Sequence, residues 1–319
     1  MSLTPTINKI LLLLIFVTGV SAIEPSFIYK GSGGVTDLVY QDSKLYSATA
    51  EGKVDIYDTT SQKLIQTIEV PKIKDFIGDK VTSKIYSVDI IDNKIMIVSQ
   101  GKMGYRRVHI FQDNELKEII STNQSYTISQ AKFINKDKLL IALLSNELIL
   151  YDISNSKTIY RNQISASKFS SFAINEKKEK VVIADESGEL KVVDINSGKI
   201  IKELKGQNVD NIFQVDYKNS IVITAGQDRR CAIYSDDKKV SYYKDGTFLI
   251  YSAGLSPSGN RGAYASDENN NITIFDTNTK SNLYKLGHHK ATISKILFIN
   301  ENELFSANDS NEINYWKLK

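Results

Sequence analysis

Three histidines, one cysteine and a single glycine-rich run are the residues through which this chain of 319 could do chemistry. A zinc or haem site needs several convergent nitrogen or sulfur ligands, and His109, His288, His289 and Cys231 are a thin supply spread over the whole sequence. His288 and His289 are adjacent, so in extended chain they point to opposite sides and only one can face a given partner. His109 lies inside the alternating stretch "RRVHIFQ", where a histidine satisfied within a strand is the plain expectation. A serine hydrolase would need a nucleophile elbow beside one of these rings, and no G-x-S-x-G occurs. "GSGG" at 31–34 resembles a phosphate loop but lacks the Lys-Ser/Thr ending and a following helix, so it is read as a turn. These residues assign no catalytic group, metal or cofactor, and the chain is read as a non-enzyme.

The elements that would have to carry any site are defined by an internal repeat. The signatures "IYD", "IFQ", "LYD", "VVD", "IYS", "IFD" and "YWK" centre on residues 57, 111, 151, 193, 234, 275 and 316, at steps of 54, 40, 42, 41, 41 and 41. Within each unit the apolar period is two, as in "KVVIADESGELKVVD", and Gly, Asn, Asp and Ser mark tight turns. A period near 41 with about four short strands is the arithmetic of a β-propeller blade. Each of the first six signatures is followed by an outer strand such as "KLIQTIEV" or "SNLYKLGH", but after Trp316 only three residues remain. The stretch "SFIYKG" near the other end reads like "NLYKLG". The expectation is an all-β, seven-bladed propeller over residues 23–319, its ring closed by the N-terminal strand completing the last blade and covering an otherwise open edge.

The units resemble WD40 repeats. The seventh, "LGHHKATISKILFINENELFSANDSNEINYWKLK", carries the pattern most fully. That resemblance implies a hydrogen-bonded set of His288 (or its neighbour His289), Ser306, Asp309 and Trp316. The other six units lack the tryptophan and mostly the histidine. Quinone-cofactor propellers repeat tryptophans around their blades, whereas Trp316 stands alone.

The irregular step of 54 places extra residues in blade two, at "VPKIKDFIGDKVTSK" (70–84) and "SQGKMGYRR" (99–107). In a propeller both connections emerge on one face and should stand side by side. They bring together Lys74, Phe76, Lys102, Met103, Tyr105, Arg106 and Arg107, and a basic turn with Arg229 and Arg230 should open on the same face in blade five. Aromatics interleaved with arginine on long loops suit a protein interface, so these residues are expected to bind a partner.

Residues 1–22 have the three parts of a secretory signal: Lys9, the apolar "ILLLLIFVTGV" and a small-residue end at Ala22. The apolar run is about half the ~20 residues that cross a bilayer, and no cysteine follows it to take a lipid. Without Lys9 the charge is 39 basic against 37 acidic residues, which gives no broad reason to bind nucleic acid or a membrane surface. Cys231 alone can make no internal disulfide. The Lys/Ile/Asn-rich composition suggests an AT-rich bacterium, hence a periplasmic, monomeric protein without a stable membrane anchor.

Signal segment, length, seven degenerate repeats and composition together resemble the NapL-type accessory proteins of periplasmic nitrate reductase systems. The resemblance implies a cofactor-free scaffold that assists the reductase or its electron-transfer subunits. Two other classes make different predictions. A lactonase-like or quinoprotein enzyme would converge acidic or histidine side chains on the channel axis. A lipoprotein scaffold of outer-membrane assembly would carry a lipidated cysteine and eight blades.

Overall fold

Seven four-stranded antiparallel sheets follow one another around a central axis in the computed structural model, which describes residues 22–319. The signal segment expected over 1–22 lies, Ala22 apart, outside the described residues. Each blade runs from an inner strand lining the channel to an outer strand in solvent, as in blade three with Ile128–Asn135, Lys138–Leu143, Glu147–Asp152 and Lys157–Gln163. The middle strands are buried on both faces and read as near-continuous apolar runs ("KLLIAL", "ELILYD"), while the outer strand of the same blade, "KTIYRNQ", alternates with solvent.

The repeat found in the sequence is a register. Tyr57, Phe111, Tyr151, Val193, Tyr234, Phe275 and Trp316 each sit opposite an apolar residue or glycine of the preceding strand: Leu45, Ile95, Leu139, Val181, Val222, Gly262 and Leu304. Seven aromatic or valine side chains thereby fill equivalent places between neighbouring blades. Phe275 alone faces a glycine, and a Cβ on Gly262 would come within 2.4 Å of the ring.

The ring closes as the sequence predicts. Phe27–Lys30 pairs with Glu312–Lys317 as the outer strand of blade seven, Phe27 opposite Tyr315 and Lys30 opposite Glu312. Closure is reinforced one blade earlier, where Ile23 makes a parallel bridge to Leu286 of blade six and its N–H donates to the Lys285 carbonyl at 2.8 Å. The run Gly31–Gly34 is the turn into blade one, and Gly34 lies so close to Asp309 that a Cβ would meet its carbonyl oxygen at 2.6 Å.

Inner strands carry a second regularity. Six of the seven share a register irregularity after their first buried residue. It turns a mostly polar position toward the channel: Asp37, Ser87, Gln130, Ser171, Gln214 and Lys295. These side chains reach the backbone of other blades. Asp37 accepts from the Val88 N–H at 3.1 Å, Gln130 exchanges two bonds with Phe172, and Gln214 donates to the Ser294 carbonyl at 2.6 Å. The polar lining thus knits the blades together.

Candidate functional site

Acidic side chains do converge on the axis, and the partners they find there are structural. The channel opens into a cavity of about 400 Å³ reached by Asp89, Lys132, Asp216 and Lys295. Asp37, at its wall, sits between two ammonium groups, Lys132 at 3.2 Å and Lys295 at 3.2 Å. Burial opposes its charge, but the two lysines and the Val88 N–H outweigh that and hold its carboxyl at about 2. Burial pushes Asp89 up despite Lys132 beside it, and its Oδ2 accepts from the Phe133 N–H at 2.7 Å. Asp216 accepts from the Leu255 N–H at 2.9 Å. Lys132 loses by burial but gains more from Asp37 and Asp89, and stays charged. Among the described residues no three His, Cys, Asp or Glu side chains group as metal ligands.

The hydrogen-bonded set in blade seven forms with two changes of member. The histidine is His289: its Nε2 lies 2.7 Å from Ser306 Oγ, which also accepts from Trp316 Nε1 at 2.6 Å. His288 is turned to solvent at a positive φ of 80° and meets Glu24 at 3.0 Å. The choice between two adjacent rings is decided by which one the segment entering the strand Ile293–Asn300 turns inward, and the residue types alone do not record it. Asp309 is exposed in the turn, and the buried residues that contact His289 Nδ1 are Asn308 at 3.1 Å and Asn314 at 3.3 Å. Asn308 also holds the turn by accepting from the Ser310 N–H. Burial, and then the neighbouring His288, lower His289 to about 4, so the ring is neutral.

His109 is likewise buried. It lies 3.5 Å from Ser99 Oγ, and burial followed by the Arg107 charge brings it to about 4. Cys231 is fully buried, and desolvation raises its thiol far above the usual range. Neither is poised to react.

On the face formed by the connections between blades and the turns between second and third strands, the two blade-two insertions stand together. The first folds as a two-stranded ribbon that joins no blade, with Ile73 opposite Val81 and Lys74 opposite Lys80. Its turn is fixed by Asp75, whose Oδ1 accepts from the N–H groups of Ile77, Gly78 and Asp79 at 2.8–2.9 Å. At the tip Phe76 and Ile77 are 105% and 86% exposed, while Ile73 at the base is buried. The second insertion is a 3₁₀ turn, Lys102–Gly104, that leaves Met103 90% exposed with φ 57°.

Arg107 joins the two insertions. Its Nη2 donates to the Pro71 carbonyl at 2.7 Å and to Ser83 Oγ at 3.0 Å, and Nε to the Gln100 carbonyl. Arg106 lies flat over the Tyr86 ring at 3.5 Å and donates to the Ile128 carbonyl. These two arginines, expected from sequence to meet a partner, are therefore turned inward, and burial lowers both. A planar fork of donors suits such carbonyl bracing. Lys74, Phe76, Lys102 and Met103 remain outward, and Tyr105 is half-buried.

In blade five Arg229 is exposed at φ 63°, while Arg230 stacks on Tyr243 at 4.3 Å and donates to the Gln207 carbonyl. Two apolar residues that the sequence reading passed over stand beside Arg229: Val209, 68% exposed, and Phe248, 43% exposed. Val209 is held there by its N–H on Asp228 Oδ2 at 2.8 Å, and the Phe248 loop by Gly246 N–H on the Arg229 carbonyl. The signal for Val209 was a large apolar residue inside an otherwise polar connection between blades, whereas Phe248 begins the apolar run "FLIY" and the sequence does not mark it out.

No protein-family profile matches the chain. A WD repeat-containing protein 55 homolog of Dictyostelium discoideum is 24% identical over 214 residues, which is 65% of this chain and 51% of that protein. The chain spans about half the length of this curated relative. Among solved structures, the Cps50 (Swd1) β-propeller domain of Myceliophteria thermophila superposes with a TM-score of 0.72 at 15% identity, covering 92% of this chain and 99% of that domain. Ring, register and comparison agree: the fold of this chain is a WD40-like seven-bladed β-propeller.

Proposed function

We propose that the propeller is a non-catalytic protein-docking platform, exported to the periplasm, that serves a nitrate reductase system as an accessory factor. One observation carries the docking part: away from the outer strands and the turns into them, the exposed large apolar side chains stand on a single face with basic neighbours, as Met103 with Lys102 in blade two and as Val209 and Phe248 with Arg229 in blade five. Rigid loops presenting such residues around a channel mouth form the central contacts of a protein interface. Likeness to WD-repeat proteins supports the same reading, since propellers of this kind offer a stable surface with little chemistry of their own. Export rests on the segment 1–22, and the nitrate reductase assignment on the NapL-type resemblance.

The test is cross-linked capture from native periplasm with the mature protein as bait, followed by mass spectrometry and metal analysis of the bait. Enrichment of nitrate reductase subunits, lost in a Met103→Ser, Phe248→Ser variant that melts like the wild type, supports the proposal. Equal capture by that variant removes the face from it, and stoichiometric metal without a partner replaces it with a channel enzyme.

A further inference from the structure

The blade-two ribbon presents a combination that a protein interface explains poorly. Its tip is convex: Phe76 and Ile77 stand fully in water, and open space surrounds the position that a Cβ on Gly78 would take. Turns are ordinarily polar, and two adjacent large apolar side chains at a tip lose free energy in water that only burial recovers. The tip is nonetheless held rigidly, by Asp75 clasping three turn N–H groups and by Ile73 buried at the base. The charges on the ribbon and its base are four exposed lysines, Lys72, Lys74, Lys80 and Lys84, against Asp75, which the turn N–H groups take up, and the exposed Asp79. Lys74 and Lys80 face each other across the ribbon just behind the apolar tip, and Lys102 is exposed on the adjoining 3₁₀ turn next to Met103. The arginines of the same insertions are bound inward on carbonyls, so the outward charge is ammonium in excess of one exposed carboxylate, Asp79. Lysine is depleted at protein interfaces, whereas ammonium groups behind an apolar tip match the layered chemistry of an anionic bilayer, headgroup above hydrocarbon.

We infer that the ribbon tip Phe76–Ile77, with Lys74, Lys80 and Lys102 behind it, is a reversible docking site for an anionic lipid surface. The apolar pair enters the boundary between headgroups and acyl chains while the lysines stay among the phosphates. Among the described residues no helix is long and apolar enough to cross a membrane, and a contact of this kind needs none. The inference shares only Lys102 with the protein-docking proposal, which otherwise uses Met103 and the blade-five residues around the channel mouth.

The experiment is co-sedimentation of residues 23–319, which contain the closed ring, with vesicles of phosphatidylcholine alone or with about 30% phosphatidylglycerol, at low salt and at about 0.5 M NaCl. Binding is expected to the anionic vesicles at low salt, and to weaken about five-fold for each lysine among the three neutralised to glutamine. Phe76→Ser with Ile77→Ser should weaken it at least about ten-fold, and Leu64→Ser with Ile65→Ser on the outer strand of blade one should leave it unchanged. Because Trp316, the single tryptophan, is fully buried, a Phe76→Trp variant reports insertion directly by a blue-shifted emission on vesicles. Equal partition of the tip variant and the wild type, or no partition to anionic vesicles, overturns the inference. A tip variant that loses a captured protein while the wild type ignores vesicles overturns it too, and assigns the tip to a protein pocket.

Discussion

Replacing Ser306 by alanine and, separately, Ser47 by alanine should move stability in opposite directions, although the two serines occupy the same place in blades seven and one. Both lie on the second strand, two residues before its end, and both are fully buried. Ser306 serves two buried partners, Trp316 Nε1 at 2.6 Å and His289 Nε2 at 2.7 Å. Alanine there leaves an indole N–H and an imidazole nitrogen without a bond, at about 1–3 kcal/mol each, so a loss of about 3 kcal/mol is expected. In blade one the chain has no histidine or tryptophan to offer. Tyr57 stands where Trp316 does but gives its hydroxyl to the Lys30 carbonyl at 2.9 Å, and Asp55 is occupied by Ser32 and Thr67. Ser47 Oγ has no hydrogen-bond partner among the described residues. Alanine removes a desolvated hydroxyl that nothing compensates, and a gain of about 1 kcal/mol is expected. For a domain of this size the melting temperatures should fall by roughly 8 °C and rise by roughly 3 °C respectively. Calorimetry at pH 7 with a urea titration of the same variants measures both. If Ser47→Ala costs as much as Ser306→Ala, the serine acts through backbone or packing common to all blades, and the polar set in blade seven is not what stabilises it.

Two further outcomes follow from buried groups. His109 and His289 each lie at about 4 in the folded state against an ordinary value of 6.5, so the unfolded chain takes up their protons first. Their contribution is complete above pH 6.5 and is lost as pH falls toward 4, with about 2 kcal/mol gone for each at pH 5. Urea midpoints at pH 7 and pH 5 should therefore differ far more for the wild type than for a His109→Gln, His289→Gln variant, and equal differences would refute the assignment. Gly262→Ala should cost about 1–3 kcal/mol by driving a Cβ into the Phe275 ring, and adding Phe275→Leu should recover most of that loss. A purely additive double variant, measured by denaturant unfolding, would place the strain elsewhere.

How far the sequence could be read depended on whether a feature repeats. The alternation of middle strands, the 41-residue step and the match of "SFIYKG" to "NLYKLG" recur, so strand count, blade count and ring closure were all legible. Where a feature occurs once, residue type underdetermined it. His288 and His289 are interchangeable as letters, and only the turn entering Ile293–Asn300 decides that His289 faces Ser306. Asp309 matched a pattern, but the inward position of that turn falls on Asn308. Arg106 and Arg107 have the composition of an interface, yet their donors go to backbone, Arg107 to the carbonyls of Pro71 and Gln100 and Arg106 to that of Ile128.

The same logic bears on where this protein can bind anything. A long connection on a propeller face must first satisfy its own backbone, and in blade two that takes up Arg107, Ser83 and Asp75. What remains outward after those bonds are made excludes both arginines and includes Lys72, Lys74, Phe76, Ile77, Asp79, Lys80, Lys102 and Met103. In blade five the same subtraction removes Arg230 and Asp228, which hold Gln207 and Val209, and leaves Arg229, Val209 and Phe248. The channel obeys it too, since Asp37, Gln130 and Asp216 each bond the inner strand of another blade. The proposed docking would use side chains that the backbone does not need, and on this face those stand in blades two and five.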